Sequence, residues 1–142
     1  MKNIDLNKSL EEIENEHWDK EGFDSTLIEK CYQLRKLPLR ELNVESYRIL
    51  IGQNVGLPYL IPLALKELQK DPLVEGDFYR GDLLCNVLTI DKKFWNDNKE
   101  LISVVKSIVE SAQKKIKSDN LKDTTEIIKN IDDAIKVFKR NI

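Results

Sequence analysis

The chain carries one histidine, two cysteines, one methionine, five glycines and four prolines in 142 residues. A single histidine, His17, rules out a histidine metal cluster, and it sits beside Trp18 near the end of an acidic segment, where a surface or capping role is the simplest reading. The two cysteines, Cys31 and Cys85, are isolated in helix-like segments with no CxxC spacing, so they read as small buried hydrophobes of a reducing compartment. The glycines are dispersed and form no phosphate-cradling loop. No apolar run approaches the roughly 18 residues that a membrane span needs. The opening MKNIDLNKSLEEIENE is polar and acidic, without the apolar centre of a secretory signal, and the expected location is the cytoplasm.

Net charge is small, −2, which excludes both a polyanionic mimic and a nucleic-acid-binding polycation. The charge is unevenly placed. Residues 1–33 hold nine acids against four bases and residues 52–91 six against three, whereas residues 92–142 hold twelve bases against eight acids. An acidic front favours a partner surface of positive potential; solvated helix faces of mixed sign are the plainer alternative.

What is abundant is helical periodicity. Ser9 with Glu12 forms a capping-box pattern ahead of Leu10 and Ile13. Gly22 interrupts, and Asp24 or Ser25 caps a second helix bearing Leu27, Ile28, Cys31, Tyr32 and Leu34, which must stop before Pro38. Asn43 caps a third helix, with Gly56 placed to end it in a left-handed conformation. Pro58 suits the first turn of a fourth, LPYLIPLALKELQK, expected to be the central buried helix, kinked or left with an unpaired carbonyl by Pro62. Then follow the loop LVEGDFYRG and a short apolar helix, GDLLCNVL, that Asp82 can cap. NVLTI is the one place for a hidden strand. Two amphipathic helices close the chain over about 97–140, the first striped by Leu101, Ile102, Val105, Ile108, Val109 and Ile116. The second follows an Asp123–Glu126 capping box and carries Ile127, Ile131, Ala134, Ile135 and Phe138. Joined by SDNLKD, they read as an antiparallel hairpin. The expected fold is therefore all-α: one domain, residues 1–142, of six or seven helices around a single core.

No constellation supports catalysis: there is no serine–histidine–aspartate grouping, nucleophile–base pair or metal cluster. No cofactor is expected. One segment demands an explanation. DPLVEGDFYRGD, Asp71 to Asp82, packs four acids, two aromatics, an arginine and two glycines into twelve residues. Three readings stay open. The acids supply carboxylate or metal chemistry; the segment is a protein-binding hot spot with Tyr79 and Arg80 as anchors; or Asp77 and Asp82 cap helix ends while Phe78 and Tyr79 pin the loop to the core. Candidate contacts for a protein partner are Glu75, Asp77, Tyr79 and Asp82, with Glu11, Glu14 and Glu16 as a second acidic face.

From Lys8 to Trp95 the chain resembles the immunity proteins of contact-dependent growth inhibition (CDI) systems. The segments that carry the likeness are IGQNVGLPYLIPLAL, from Ile51 to Leu65, and DPLVEGDFYRGDLL, from Asp71 to Leu84, with the tryptophan after an acidic helix at Trp18 and the Phe94–Trp95 pair in support. The last two helices carry no such signature. The resemblance implies a partner and no catalytic residues: the C-terminal toxin domain of a neighbouring cell's effector, often a ribonuclease or deoxyribonuclease, which is bound and kept from acting in the cytoplasm. The acidic excess of residues 1–33 and 52–91 adds the expectation of a one-to-one complex in which an acidic patch covers the positively charged site of a nuclease. A helical adaptor unrelated to toxins would share the same fold physics, and a small carboxylate-dependent hydrolase is the remaining rival.

Overall fold

The computed structural model describes residues 3–19, 25–119 and 125–142. Local signals in the sequence start most of its helices. In α1 (Leu10–Glu14) the Ser9 hydroxyl accepts from Glu12 N at 3.2 Å while the Glu12 carboxylate accepts from Ser9 N at 3.1 Å, closing the expected capping box. Ser25 caps α2 (Thr26–Leu34) through Ile28 N; the alternative cap, Asp24, and the break at Gly22 lie outside the described residues. Pro38 leads into a 3-10 turn, Leu39–Glu41, and Asn43 forms a reciprocal box with Ser46 at the head of α3 (Val44–Gly52). Gly56 acts differently from expectation. The left-handed residue behind α3 is Asn54, and Gly56, at φ +65°, is instead the N-cap of α4 (Leu57–Lys70).

Pro58 lies in the first turn of α4, and the helix runs on through Pro62. It buries Leu57, Leu60, Ile61, Ala64, Leu65 and Leu68 along one side and leaves Lys66, Gln69 and Lys70 in solvent. The most embedded helix is the shorter α5 (Asp82–Leu88), of whose residues only Asn86 is not buried. It packs on α3, on α4 and on α8 (Thr125–Arg140), whereas α4 turns one face outward. The segment NVLTI supplies the last turn of α5 and no strand, with the Thr89 hydroxyl bonded back to Cys85 O at 2.9 Å. Among the described residues the only sheet-like pairings are isolated bridges, Ser9 to Pro38 and Glu75 to Arg80.

Asp91 caps α6 (Lys92–Asp97), a helix the sequence pattern did not separate from its neighbours; eight α-helices are present among the described residues. A 3-10 turn, Lys99–Leu101, leads into α7 (Ile102–Asp119), which lies against α4. The Asp71 carboxylate ties these two together, accepting from Lys115 Nζ at 2.9 Å as well as from Leu73 N. Trp95 of α6 is fully buried and meets Phe94 and Phe138 edge-to-face, at centroid distances of 5.3 and 5.4 Å. Such pairs add about 0.5–1.5 kcal/mol each beyond area burial, and the Trp95–Phe138 pair fastens α6 to α8. One cluster of buried residues runs from Leu10 in α1 to Phe138 in α8. The connection expected to fold α7 and α8 into a hairpin, with its Asp123 cap, lies outside the described residues. Cys31 and Cys85 are separate buried free thiols.

Candidate functional site

The segment between α4 and α5 has a shape imposed by two carboxylates. Asp82 is 2% exposed, and instead of capping α5 it turns back into the loop. Its Oδ1 accepts from Gly76 N at 2.7 Å and its Oδ2 from Phe78 N at 3.1 Å and Tyr79 N at 3.4 Å. The helix cap position falls to Gly81, whose φ of +90° suits glycine and whose missing side chain leaves room for Ile131 of α8. The second carboxylate is Glu45 of α3, which accepts from Asp77 N at 2.9 Å. Glu45 is itself gripped by Arg48 through two 2.6 Å hydrogen bonds, Nε to Oε1 and Nη2 to Oε2. Those bonds, ahead of other influences, hold the Glu45 carboxyl below its ordinary range. Arg48 Nε also lies 3.8 Å from Asp82 Oδ2, and Asn86 Nδ2 of α5 donates to the Arg48 carbonyl at 2.8 Å.

Position 76 is a place of close approach that glycine fits without displacing its neighbours. A Cβ there would stand 2.7 Å from Glu45 Oε1 and 2.9 Å from Asp82 Oδ2, inside contact distance of both anchoring carboxylates. The loop therefore has four consecutive backbone N–H groups from Gly76 to Tyr79 satisfied by side chains from α3 and α5.

What this frame displays differs from the sequence expectation. Glu75 and Asp77 are exposed, as a contact role requires. Tyr79 is half-buried against the core, and its hydroxyl contacts the Cys85 thiol; burial, with that contact, pushes its phenol up to about 12. The exposed aromatic is Phe78, 72% accessible, with the Arg48 guanidinium 4.0 Å from its ring centroid. Phe78 and Tyr79 thus do not both pin the loop inward: only Tyr79 does. Asp82, buried, holds the loop backbone from within and offers no surface to a partner. Sequence reasoning missed Arg48 and Glu45 altogether. Their three-residue spacing on one helix face was the available signal, but that pattern is common to solvated ion pairs.

The second acidic face is largely engaged within the chain. Arg35, 2% exposed at the end of α2, bonds the Glu14 carboxylate at 2.9 Å and the Glu16 carbonyl, and lies 4.6 Å from the Trp18 ring centroid. Glu11 meets His17 and Lys36, and the His17 hydrogen bond is the main reason its carboxyl sits below the ordinary range. The Glu16 carboxylate side is exposed. Backbone bonds from Leu39 N to Lys8 O and from Arg40 N to Leu6 O complete the attachment of this segment.

A groove of about 610 Å³ lies between the N-terminal segment and α4, α6 and the following 3-10 turn, floored by Ile4, Ile13, Tyr59, Pro62, Phe94 and Leu101. Of the seven residues singled out from the sequence, it contains none. Among the described residues no three histidine, cysteine, aspartate or glutamate side chains are placed to hold a metal, and no helix is long and apolar enough to cross a membrane.

The chain finds no match among curated proteins and none among solved structures. A sequence model of the CDI immunity proteins matches residues 12–105. The match begins inside α1, ends in the first turn of α7, and spans the whole 75–82 loop with both carboxylates that shape it. On that span, most of its length, the chain belongs to the family of CDI immunity proteins.

Proposed function

We propose that this protein neutralises a CDI toxin by binding the cognate effector's C-terminal domain one-to-one in the cytoplasm and covering its active site. The toxin class favoured is a nuclease, and a ribonuclease first. The observation that carries this reading is the loop bearing Glu75 and Asp77, two exposed acids on a backbone fixed from behind by Asp82 and Glu45. A nuclease site is positive because it holds phosphate, so an acidic, pre-shaped surface both steers encounter and fits over the site. Glu16 adds an exposed acid at a second place.

Restraining a toxin at cellular concentrations calls for a nanomolar or tighter complex, about −12 kcal/mol, from an interface of roughly 1,600 Å² or more. The test is co-expression with the toxin domain encoded immediately upstream, scored by growth and co-purification. Rescue with a stable one-to-one complex is expected, together with loss of RNA cleavage by the purified toxin at equimolar inhibitor. Binding without loss of cleavage would move the interface away from the active site. An association rate unchanged between low and moderate salt would remove the electrostatic part of the reading.

A further inference from the structure

Phe78 is the most exposed large hydrophobic side chain among the described residues, at 72%; the next, Ile142 at the chain end, is 45% exposed. Its exposure is not looseness. The Phe78 N–H is fixed to Asp82 Oδ2, and the preceding N–H, of Asp77, is fixed to Glu45 Oε1. One side of the ring meets the Arg48 guanidinium, which the Glu45 carboxylate locks by two short hydrogen bonds. An aromatic held out in water on a rigid seat loses little further freedom when a partner covers it, which is the property of an interface anchor. The charge beside it defines that partner. Asp77 adjoins Phe78 in the chain and Glu75 lies on the same loop, both exposed, while the arginine beneath the ring already serves Glu45.

We propose that Phe78 is the anchor of the toxin interface, entering an apolar slot within a lysine- or arginine-rich surface, and that Arg48 is the positioning residue that holds its ring. This rests on the toxin-binding reading above and names the partner surface for it. Labour is divided between the groups: Glu75 and Asp77 govern the rate of encounter, and Phe78 governs the lifetime of the complex.

The experiment measures association and dissociation of the full chain on immobilised toxin domain, beside unfolding midpoints for each variant. Phe78→Ala is expected to speed dissociation about 30-fold or more, the change that marks a hot spot, with its association rate within about threefold. Its unfolding midpoint should hold, since the ring is exposed, and Phe78→Trp should keep the slow dissociation. Glu75→Gln with Asp77→Asn should lower the association rate at low salt and leave dissociation near wild type. Arg48→Lys should speed dissociation when Phe78 is present and add little once Phe78 is alanine, a coupling that a merely structural arginine would not show. If wild type binds and Phe78→Ala dissociates at the wild-type rate, the anchor is elsewhere and the toxin-binding reading stands. If Phe78→Ala binds poorly only because it unfolds, the anchor role is overturned as well. If wild type neither binds nor rescues, both readings fall together.

Discussion

Both terminal nitrogens of Arg35 donate to one acceptor, the Glu16 carbonyl oxygen, at 3.1 Å each, while Nη2 also reaches Glu14 Oε1 at 2.9 Å. A single buried guanidinium thereby holds the stretch after α1 onto the end of α2, across about twenty residues of chain. Replacing it by methionine keeps the aliphatic volume but leaves the Glu14 carboxylate and the Glu16 carbonyl without their donor. Glu14 is partly exposed and recovers some solvation, so the expected loss is about 2–3 kcal/mol. Urea denaturation of Arg35→Met measures it, and a value within about 0.5 kcal/mol of wild type would show that the backbone pairing of residues 6–8 suffices.

Asp82→Asn tests the frame of the acidic loop. The amide nitrogen replaces one acceptor oxygen, so at least one of the three N–H groups it serves is left facing a donor. The expected cost is about 1–3 kcal/mol, with faster hydrogen exchange at Gly76 or Phe78. Gly76→Ala should displace the same loop by crowding Glu45 and Asp82, and toxin binding should weaken in both variants. Unchanged exchange in Asp82→Asn would mean that Glu45 alone shapes the segment.

Stability should fall on the acid side, and two of the carboxyls responsible are glutamates. Glu45 and Glu11 both ionise more readily than an ordinary glutamate at 4.5, chiefly through hydrogen bonds from Arg48 and His17 respectively. A carboxyl depressed in the folded state contributes its full stabilisation above the unfolded value and loses it as pH drops through the folded value. Unfolding free energy should therefore be level with respect to these groups above about pH 5 and decline below 4.5. In Glu45→Gln the decline should be shallower; a curve parallel to wild type would assign the acid sensitivity elsewhere.

The two thiols offer a check on packing. Burial pushes both Cys31 and Cys85 above the usual thiol value, and a protonated, enclosed sulfur is a poor nucleophile. Native protein is expected to label slowly with a thiol reagent at pH 8 and to react at both cysteines in denaturant. Prompt labelling of Cys85 in the native state would show that α5 opens readily.

The all-helical fold was legible because its signals are short-range. The Ser9–Glu12 and Asn43–Ser46 boxes, the proline of α4 and the stripes of α7 and α8 can each be read within one or two turns. Burial of α4 was overestimated for a related reason: its first half is rich in apolar side chains, but whether a helix has neighbours on every side depends on its partners. The seven residues of α5 are enclosed by α3, α4 and α8, which no local pattern announces. The acidic loop was recognised by composition, yet its inside and outside were exchanged in part. Phe78 and Tyr79 are adjacent, so which one turns to solvent follows from the backbone path set by Asp82 and Glu45. The Glu45 contact joins groups 32 residues apart. Arg35 escaped notice for the same cause, its partners lying 19 to 21 residues away.

The buried aspartate beneath the loop has a consequence for how recognition changes over time. Glu75, Asp77 and Phe78 project from a backbone whose course is dictated by Asp82, Glu45 and Gly76, none of which needs to touch a partner. Display and support are thus separate inheritances. On the proposed reading, exchanging the projecting side chains one at a time would alter the surface offered to a toxin and leave the backbone course set by Asp82, Glu45 and Gly76 as it is. A bundle of helices built in this way would change its specificity without changing its fold.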